Sequence, residues 1–326
     1  MMRTLRIGAR TSPLATAQAM SVARQLEAAG FTCEFVGVTT TGDVDRRHLT
    51  QIGGTGVFAQ AVRHSLITGG IDLAVHSLKD LPTAPAEGLE ITAVPEREDP
   101  ADVLIGVHPD EVRDGMRIGT GSPRRATQLS AHFASRGIDV EFVPIRGNVD
   151  RRIGLVREGQ VDATLLAAAG LRRLGRWSGE PEVSGLPATA LGFDAVVPAA
   201  GQGALALEMA ADADEDLRAA VASLDHRVTR AAVEAEREFL RVLEAGCLAP
   251  VGVHARPIAH PDSDDDLTLV AVAGRTYLEN STSNDSDALV KTEGRCTLAD
   301  AVASGASLAH TTLGLLGGPP ADPEHR

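Results

Sequence analysis

The chain has 326 residues, of which 43% are hydrophobic and 23% charged, and its formal net charge is −13. That length suffices for two or three domains with hydrophobic cores, and the acidic balance argues against a general nucleic-acid-binding surface. The N-terminal residues lack the apolar stretch of a signal peptide, and no apolar run is long enough to span a bilayer. We therefore expect a cytoplasmic protein.

The cysteine and lysine content adds information on the kind of protein and on its environment. Cys33, Cys247 and Cys296 have neither the number of a disulfide framework nor the spacing of metal ligands. Lys79 and Lys291 are the only lysines. An acidic surface poor in lysine is typical of a high-salt cell, where salt screens the repulsion, and a GC-rich genome explains it equally well. In either case Lys79 stands out, because arginine is the default cation.

The chain opens with an α/β unit. Leu5–Gly8 has the apolar character of a strand, and a helix of about residues 13–29 follows, with Ser12 as N-cap and Pro13 as the first helical residue. The free amides at the start of this helix, with Arg10 beside them, form a candidate anion site. Simple capping explains Ser12 but does not explain Arg10.

A long irregular segment follows the second predicted strand, at 35–38. Residues 39–57 are threonine-rich and charged, and they end in a glycine-rich run. Segments of this kind are usually lids, binding loops or disordered. We predict that residues 42–57 form a mobile lid over a site, and that a helix resumes at Phe58.

The next strand leads to the first candidate for chemistry. Residues 71–75 are apolar and partly β-branched, which is typical of a buried strand, and Pro82 ends any regular element. Lys79 and Asp80 therefore come at the carboxyl end of a core strand, where open α/β sheets bind ligands. Asp80 is the leading candidate for a catalytic role, and a strand-end ion pair with Lys79 is the alternative.

A second α/β unit repeats this design. A strand and glycine turn at 117–121 precede a helix that begins with Ser122 and Pro123. Arg124 and Arg125 then stand in the first helical turn, where positive charge opposes the helix dipole. A polyanionic ligand would offset that cost, and two solvated surface arginines are the alternative.

The remaining segments are predicted from periodicity and from glycine and proline breaks. They are a strand at 140–143, a strand end at 162–170, a loop at 176–193, a crossover and returning strand at 196–205, an acidic helical stretch at 212–243 that ends in a loop, hairpin strands at 267–272 and 288–294 around a polar turn at 279–287, a final helix at 299–316 and a flexible tail from 317.

Several of the predicted strand-to-helix junctions carry arginine, which pairs bidentately with carboxylates and phosphates. These arginines are Arg10, Arg124, Arg125, Arg146, Arg152 and Arg173. An acidic protein that collects arginine at ligand-facing ends is suited to a small, multiply anionic molecule, with the Asp80 carboxylate among the cations. The chain has no Walker or Rossmann glycine motif, so nucleotide phosphate is the weaker choice.

Seven motifs occur in colinear order over about residues 5–255. They are Arg6–Ala15 with Gln18, His76–Pro82, Gly119–Arg125 with Gln128 and Leu129, Arg146–Arg152, Ala168–Gly175, Pro198–Ala204 and Glu236–Gly252. Together they resemble the hydroxymethylbilane synthases, also called porphobilinogen deaminases.

The resemblance implies an α/β fold of three domains. Residues 1–98 with 197–221 and residues 99–196 would form two lobes like those of periplasmic binding proteins, with the active cleft between them, and residues 222–326 a small α+β domain. A non-catalytic two-lobe binding protein is one alternative, against which the missing signal peptide and the cysteine motif argue. The effector domain of a transcription regulator is another, but there is no room for a helix-turn-helix before the first strand.

The resemblance also implies the chemistry. The family joins four porphobilinogen molecules into a linear tetrapyrrole with loss of ammonia, primed on a dipyrromethane cofactor that a thioether links to one cysteine. Cys247 lies in the matching motif and would take that role, with the small buried hydrophobe as the alternative for an isolated cysteine. Asp80 would be the acid–base group that stabilises the cationic azafulvene and moves protons at the pyrrole nitrogens.

The same motifs imply binding roles for further residues, by resemblance to the family. Those expected to bind the cofactor are Lys79, Ser122, Arg124, Arg125, Arg146 and Arg173. Those expected to bind the substrate are Arg10, Ser12, Gln18, Arg152, Gln202 and Phe58, the last by stacking on a pyrrole unless it is a core residue. We expect a monomer that binds porphobilinogen, with no metal, nucleic-acid or membrane partner. Thr55, Gly121 and Pro123 depart from the usual Lys, Ser and Leu of the family, which puts a lid contact in doubt and removes one hydroxyl ligand.

Overall fold

The computed structural model describes residues 4–39, 57–245, 249–258, 266–274 and 289–317. The contacts between residues divide the chain into two units. The first unit comprises Met1–Glu98 and Gly203–Arg230, and the second comprises Asp99–Gln202 and Ala231–Arg326.

Strands and helices alternate through most of the described residues. The strands are β1 (Thr4–Arg10), β2 (Thr32–Val38), β3 (Leu73–Ser77), β4 (Leu89–Ala93), β5 (Asp102–Ile105), β6 (Arg117–Gly119), β7 (Glu141–Val143), β8 (Ala163–Ala167), β9 (Glu182–Val183), β10 (Leu186–Ala190), β11 (Leu205–Ala210), β12 (Val251–Pro257), β13 (Asp266–Gly274) and β14 (Leu289–Thr297). The helices are α1 (Pro13–Ala28), α2 (Val57–Ile67), α3 (Pro123–Ala134), α4 (Val149–Arg157), α5 (Ala168–Arg173), α6 (Glu215–Ala222), α7 (Arg227–Val242) and α8 (Ala301–Leu316). None of these helices has the length and apolar character needed to cross a membrane.

A five-stranded sheet in the order β2-β1-β3-β11-β4 forms the first unit. Strand β1 runs parallel to β2 and β3, whereas β11 runs antiparallel to β3 and β4. Leu5, Ile7 and Ala9 alternate along β1 and are buried in one core cluster. Val22 and Leu26 of α1 lie in the same cluster, and α2 supplies the core on the opposite face. Because both faces are covered, β3 and β11 in the sheet are buried along most of their length.

The main sheet of the second unit has the order β7-β6-β8-β5-β10-β9. Strand β6 runs parallel to β7 and β8, and β5 runs antiparallel to β8. Each large sheet thus contains a parallel trio with the first strand in the middle, followed by an antiparallel strand. The predicted repetition of the α/β design is therefore confirmed.

Each of the two sheets has an ion pair of the same kind at the amino end of its parallel trio. In β1, the backbone N–H of Arg6 donates to Asp72 Oδ2 at 2.9 Å and its guanidinium donates to Oδ1 at 2.7 Å. In β6, the same groups of Arg117 donate to Asp162 at 2.7 and 3.1 Å. Each pair ties the middle strand to the residue that precedes the third strand. These ion pairs lie at the amino edge of each trio and not at its carboxyl edge.

The C-terminal part of the second unit is an α+β region. Strands β12, β13 and β14 form an antiparallel sheet, and α8 packs against β14. The prediction of two α/β lobes and a small α+β region is confirmed. The three-domain boundaries stay a prediction, because the contacts place residues 231–326 in one unit with 99–202.

Other expectations needed correction. The predicted loop at 176–193 contains β9 and β10, and the predicted loop after the acidic helices gives way to β12 at Val251. The helical stretch at 212–243 is two helices, α6 and α7, separated where Asp225 accepts hydrogen bonds from the Val94 N–H and the Arg230 side chain. Of the predicted lid, only Val57, at the start of α2, lies within the described residues.

Gly305 of α8 tests the close packing of the α+β region. A Cβ at this position would lie 2.2 Å from the carbonyl oxygen of Ala235 in α7, so Gly305→Ala should lower the free energy of unfolding by about 1–3 kcal/mol. The control is Gly314→Ala on the same helix, where a Cβ would meet nothing within 4 Å. Helix propensity should make that variant more stable, by up to about 1 kcal/mol. Chemical denaturation measures both, and a Gly305→Ala variant as stable as the parent would contradict the packing.

Candidate functional site

Asp80 lies at the carboxyl edge of the first sheet. Strand β3 ends at Ser77, and a 3₁₀ turn, Leu78–Asp80, follows it directly. Strand β1 is parallel to β3 and ends at Arg10, so both strand ends reach the same edge. The predicted position of Asp80 at the end of a core strand is confirmed.

An open pocket in the first unit gathers several of the predicted residues. Asp80, Arg10, Ser12 and Gln18 all line it, together with His76 and Ser77 among others. The Asp80 side chain is exposed, and no hydrogen bond or ion pair to its carboxylate occurs among the described residues. The alternative of a strand-end ion pair with Lys79 therefore finds no support.

The polar wall of this pocket is held in place by two local interactions. Ser12 is the N-cap of α1, where its Oγ accepts from the Ala15 N–H at 3.3 Å. Gln18, one turn further along the buried side of α1, donates from Nε2 to Ser77 Oγ at 2.9 Å. These bonds join the start of α1 to the end of β3. The wall is thus fixed by the fold, while the Asp80 carboxylate remains available.

Arg124 and Arg125 are buried, with exposed fractions of 4% and 6%. Asp102 on β5 lies between them: its Oδ2 accepts from Arg124 at 2.7 Å and its Oδ1 from Arg125 at 2.6 Å. The Gln202 amide donates to the same carboxylate at 2.9 Å. The expectation that the two arginines were either ligand-bound or solvated on the surface was incomplete, because Asp102 supplies a compensating charge inside the protein.

Burial works against the ionised form of Asp102 and raises its pKa. The charges and hydrogen bonds of Arg124 and Arg125 outweigh this effect, so the pKa lies below the ordinary carboxyl range. One carboxylate faces two guanidinium groups here, and the cluster keeps a net charge of +1. The sequence offered little signal for Asp102, because its partners lie more than 20 residues away along the chain.

Further positive charge lies beside this cluster. Burial, followed by the nearby charges of Arg125 and Arg146, lowers the pKa of Arg152. Arg152 is on α4 and donates from Nε to the Gly147 carbonyl at 2.9 Å. The charges of Arg125 and Arg146 therefore reach Arg152. This observation fits a ligand with several carboxylates.

The other predicted residues are placed as follows. Ser122 is the N-cap of α3, although its side chain makes no capping hydrogen bond. Gln202 is buried and also donates to the Pro100 carbonyl at 2.6 Å. Lys79 lies in the 3₁₀ turn before Asp80, and Arg173 is the last residue of α5. Both of these cations are partly exposed.

Some predictions fall outside the described residues. Cys247, Thr55 and the turn at 279–287 are among them. Phe58 belongs to α2, but its side chain is not described, so the choice between stacking and core packing stays open.

Two family models match the chain. The model described as porphobilinogen deaminase, dipyromethane cofactor binding domain, matches residues 5–219. The model described as porphobilinogen deaminase, C-terminal domain, matches residues 230–314.

Curated relatives agree with these models. Porphobilinogen deaminase 1 of Streptomyces coelicolor is 51% identical over 278 residues, which cover 84% of this chain and 85% of the relative. Porphobilinogen deaminase of Thermobifida fusca is 48% identical over 276 residues, which cover 83% of this chain and 81% of the relative. Among solved structures, the probable extracellular-binding protein of an amino-acid ABC transporter from Bacillus subtilis has a TM-score of 0.40 and 13% identity, over 69% of this chain and 90% of that one. A similarity that weak supports no conclusion.

Asp102→Asn tests the buried charge cluster. Removing the carboxylate charge leaves two buried guanidinium groups without their anion, so the free energy of unfolding should fall by about 3–5 kcal/mol. The matched control is Asp110→Asn, which removes a surface partner of Arg136 and should cost no more than about 1 kcal/mol.

The pH dependence of the same variants gives a second measurement. Because the pKa of Asp102 is lowered on folding, its contribution is complete above the ordinary carboxyl range and is lost as the pH falls through the folded-state value. The free energy of unfolding of the parent should therefore fall as the pH is lowered into the acid range. For Asp102→Asn this fall should be smaller. If Asp102→Asn and Asp110→Asn lowered the free energy of unfolding equally, the role of Asp102 would be contradicted.

Proposed function

The chain belongs to the porphobilinogen deaminase family, and we propose that the pocket around Asp80 carries out the chemistry of this family's reaction. The reaction joins four porphobilinogen molecules head to tail into the linear tetrapyrrole hydroxymethylbilane and releases ammonia at each addition. The chain is an enzyme of tetrapyrrole biosynthesis, a transferase that is primed on a dipyrromethane cofactor.

Asp80 is the catalytic acid–base group in this proposal. The observation that carries it is an exposed carboxylate with no partner among the described residues, in a pocket that Arg10, Ser12 and Gln18 also line. Loss of ammonia leaves positive charge on the substrate pyrrole. A fixed carboxylate stabilises that charge and accepts hydrogen bonds from the pyrrole nitrogen. No hydrogen bond or ion pair between this carboxylate and a described residue has to break first.

Arg10 is suited to the anionic arms of the substrate. Porphobilinogen carries an acetate and a propionate, and a guanidinium group binds carboxylates with defined geometry. Ser12 and Gln18 add a hydroxyl and an amide to the same wall. The fixed Gln18–Ser77 contact orients the amide before substrate arrives.

The second unit fits the carboxylates of the cofactor. Arg124 and Arg125 carry a net positive charge beside Asp102, and Arg146 and Arg152 add to it. Ser122 and Arg173 of this unit belong to the proposed binding set, as does Lys79 of the first unit, and Cys247 forms the thioether. When bound, the dipyrromethane supplies the pyrrole carbon to which the first substrate is joined.

Four further features belong to the proposal. We expect a monomer in the cytoplasm, and a third domain over residues 222–326 that bears Cys247. The match of a separate C-terminal family model to residues 230–314 supports such a domain. High-salt adaptation is kept as one explanation of the acidic, lysine-poor composition.

Asp80→Ala should abolish turnover and leave the fold intact. The carboxylate is exposed and has no described partner, so melting should match the parent, while kcat should fall by about 10²–10⁴-fold through loss of charge stabilisation and proton transfer. Ammonia release from porphobilinogen measures the rate. The control is Glu27→Gln near the other end of α1, which should behave as the parent, and a fully active Asp80→Ala variant would remove Asp80 from the mechanism.

Cys247→Ser should yield a folded protein without the covalent cofactor. The colour reaction of pyrroles with an aromatic aldehyde in acid detects the cofactor on the purified protein. Cys33→Ser and Cys296→Ser are the controls. Burial raises the pKa of both thiols, so they are poor nucleophiles at neutral pH, and their replacement should leave the colour unchanged. Colour retained by Cys247→Ser would assign the attachment to another residue.

A further inference from the structure

His76 is a second titratable side chain in the wall of the Asp80 pocket. It lies on β3, four residues before Asp80, and only 8% of it is exposed. The ring lines the pocket together with Arg10, Ser77 and Asp80. None of the roles assigned so far uses this imidazole.

A buried carboxylate lies behind the imidazole. Glu208 on β11 is 2% exposed, and its Oε2 lies 3.2 Å from His76 Nε2. Strand β11 pairs with β3 in the register that sets Ala206 opposite His76 and Glu208 opposite Ala74. The sheet itself therefore fixes the two side chains next to each other.

Arg63 on α2 holds this carboxylate from the other side. Its Nη2 donates to Glu208 Oε1 at 2.7 Å, and its Nε contacts both oxygens at 3.0–3.1 Å. Burial raises the pKa of Glu208, but the nearby His76 and Arg63 outweigh that effect, so the pKa lies below the ordinary value. Glu208 is ionised at neutral pH, and its charge is available to a proton on the imidazole.

Nε2 of the imidazole forms an ion-pair contact with Glu208 and no aligned hydrogen bond. Although Nε2 is within ion-pair distance of Glu208, it is buried and not aligned for a hydrogen bond with any described residue. A buried polar atom without an aligned partner is rare in folded proteins. The charged group in contact with His76 is Glu208; Arg63 contacts Glu208, and Asp80 and Arg10 line the same pocket as His76. The Glu208 carboxylate is in ion-pair contact with the ring and can compensate the charge that the ring gains when it accepts a proton, as the carboxylate of a catalytic triad does through a hydrogen bond.

We propose that His76 is the proton acceptor of the condensation, with Glu208 and Arg63 as its positioning residues. The inference rests on the proposed function of the Asp80 pocket. Each condensation breaks the C–N bond of the aminomethyl group of one porphobilinogen and joins that methylene carbon to the free α-carbon of another pyrrole. The new bond uses the electron pair of the pyrrole, whose α-proton must then leave. His76 takes this proton and passes it to water or to the departing ammonia, so the net products are the joined pyrroles and ammonium.

This assignment gives the two groups of the pocket wall different proton transfers. Asp80 stabilises positive charge on the pyrrole that loses ammonia and exchanges protons at the pyrrole nitrogen. The α-proton is transferred later in the same addition, and an imidazole is a suitable general base to accept it.

The test compares holoenzymes of His76→Gln, Glu208→Gln and a matched control, His254→Gln. His254 is equally buried and lies 3.2 Å from a buried glutamate, Glu236, but it is in the second unit. Turnover is measured with porphobilinogen and with porphobilinogen deuterated at the free α-carbon. We expect His76→Gln to lose roughly 10²-fold in kcat and to show a larger deuterium isotope effect than the parent. Glu208→Gln should change both quantities in the same direction, and His254→Gln should change neither.

A second readout does not depend on turnover. Nitrogen-15 NMR of the histidine side chains is recorded before and after a porphobilinogen analogue that lacks the amino group is added. The His76 resonances should shift on binding, and those of His254 should not. If His76→Gln does not fold, the isotope effect of Glu208→Gln and this shift decide the question.

The outcomes separate this inference from the function it rests on. A parent protein that releases no ammonia from porphobilinogen would overturn the proposed function. An active parent with an inactive Asp80→Ala variant, but with parental rate and isotope effect in His76→Gln or in Glu208→Gln, would overturn only the role of His76. An isotope effect that rises equally in His254→Gln would also overturn it, since that result marks a general loss of stability.

Discussion

The carboxylate of Asp102 is the constraint on which the cationic part of the structure depends. It accepts hydrogen bonds from Arg124, Arg125 and Gln202 in the interior of the second unit. Without it, two guanidinium groups could not be buried in the first turn of a helix, where both the low dielectric and the helix dipole oppose them. With it, the two arginines are held in one orientation and still carry a surplus positive charge. An acidic protein can in this way keep positive charge in the interior of its second unit.

The same sheet design serves opposite electrostatic purposes in the two units. In the first unit, the carboxyl edge of the parallel trio presents the Asp80 carboxylate, which has no partner among the described residues. In the second, the helix after the middle strand begins with the buried pair Arg124 and Arg125. The Arg6–Asp72 and Arg117–Asp162 ion pairs stabilise the opposite, amino edge of each trio. The residues at the carboxyl edge are not needed for these ion pairs and can therefore be suited to ligand binding.

Local patterns in the sequence predicted the positions of the site residues better than their partners. The apolar strand before Asp80 and the proline after it sufficed to place this carboxylate at a strand end, and Ser12 was predicted as a helix cap from its neighbours. The buried partners could not be found in this way. Asp102 stands in a short apolar run, and Glu208 meets His76 only because β11 pairs with β3, a tertiary contact that leaves no local pattern. Short strands such as β9 and β10 were missed because two to five residues carry too little periodicity.

The central claim is that this acidic chain fixes a pyrrole chain covalently on Cys247 and extends it with porphobilinogen. The intact mass of the purified protein, combined with a peptide map, tests it most directly. The account predicts added mass equal to two pyrrole units on the peptide that contains Cys247, present on isolation or after incubation with porphobilinogen. A protein that turns over porphobilinogen while its Cys247 peptide stays unmodified, or that carries the added mass on Cys33 or Cys296, would contradict the account.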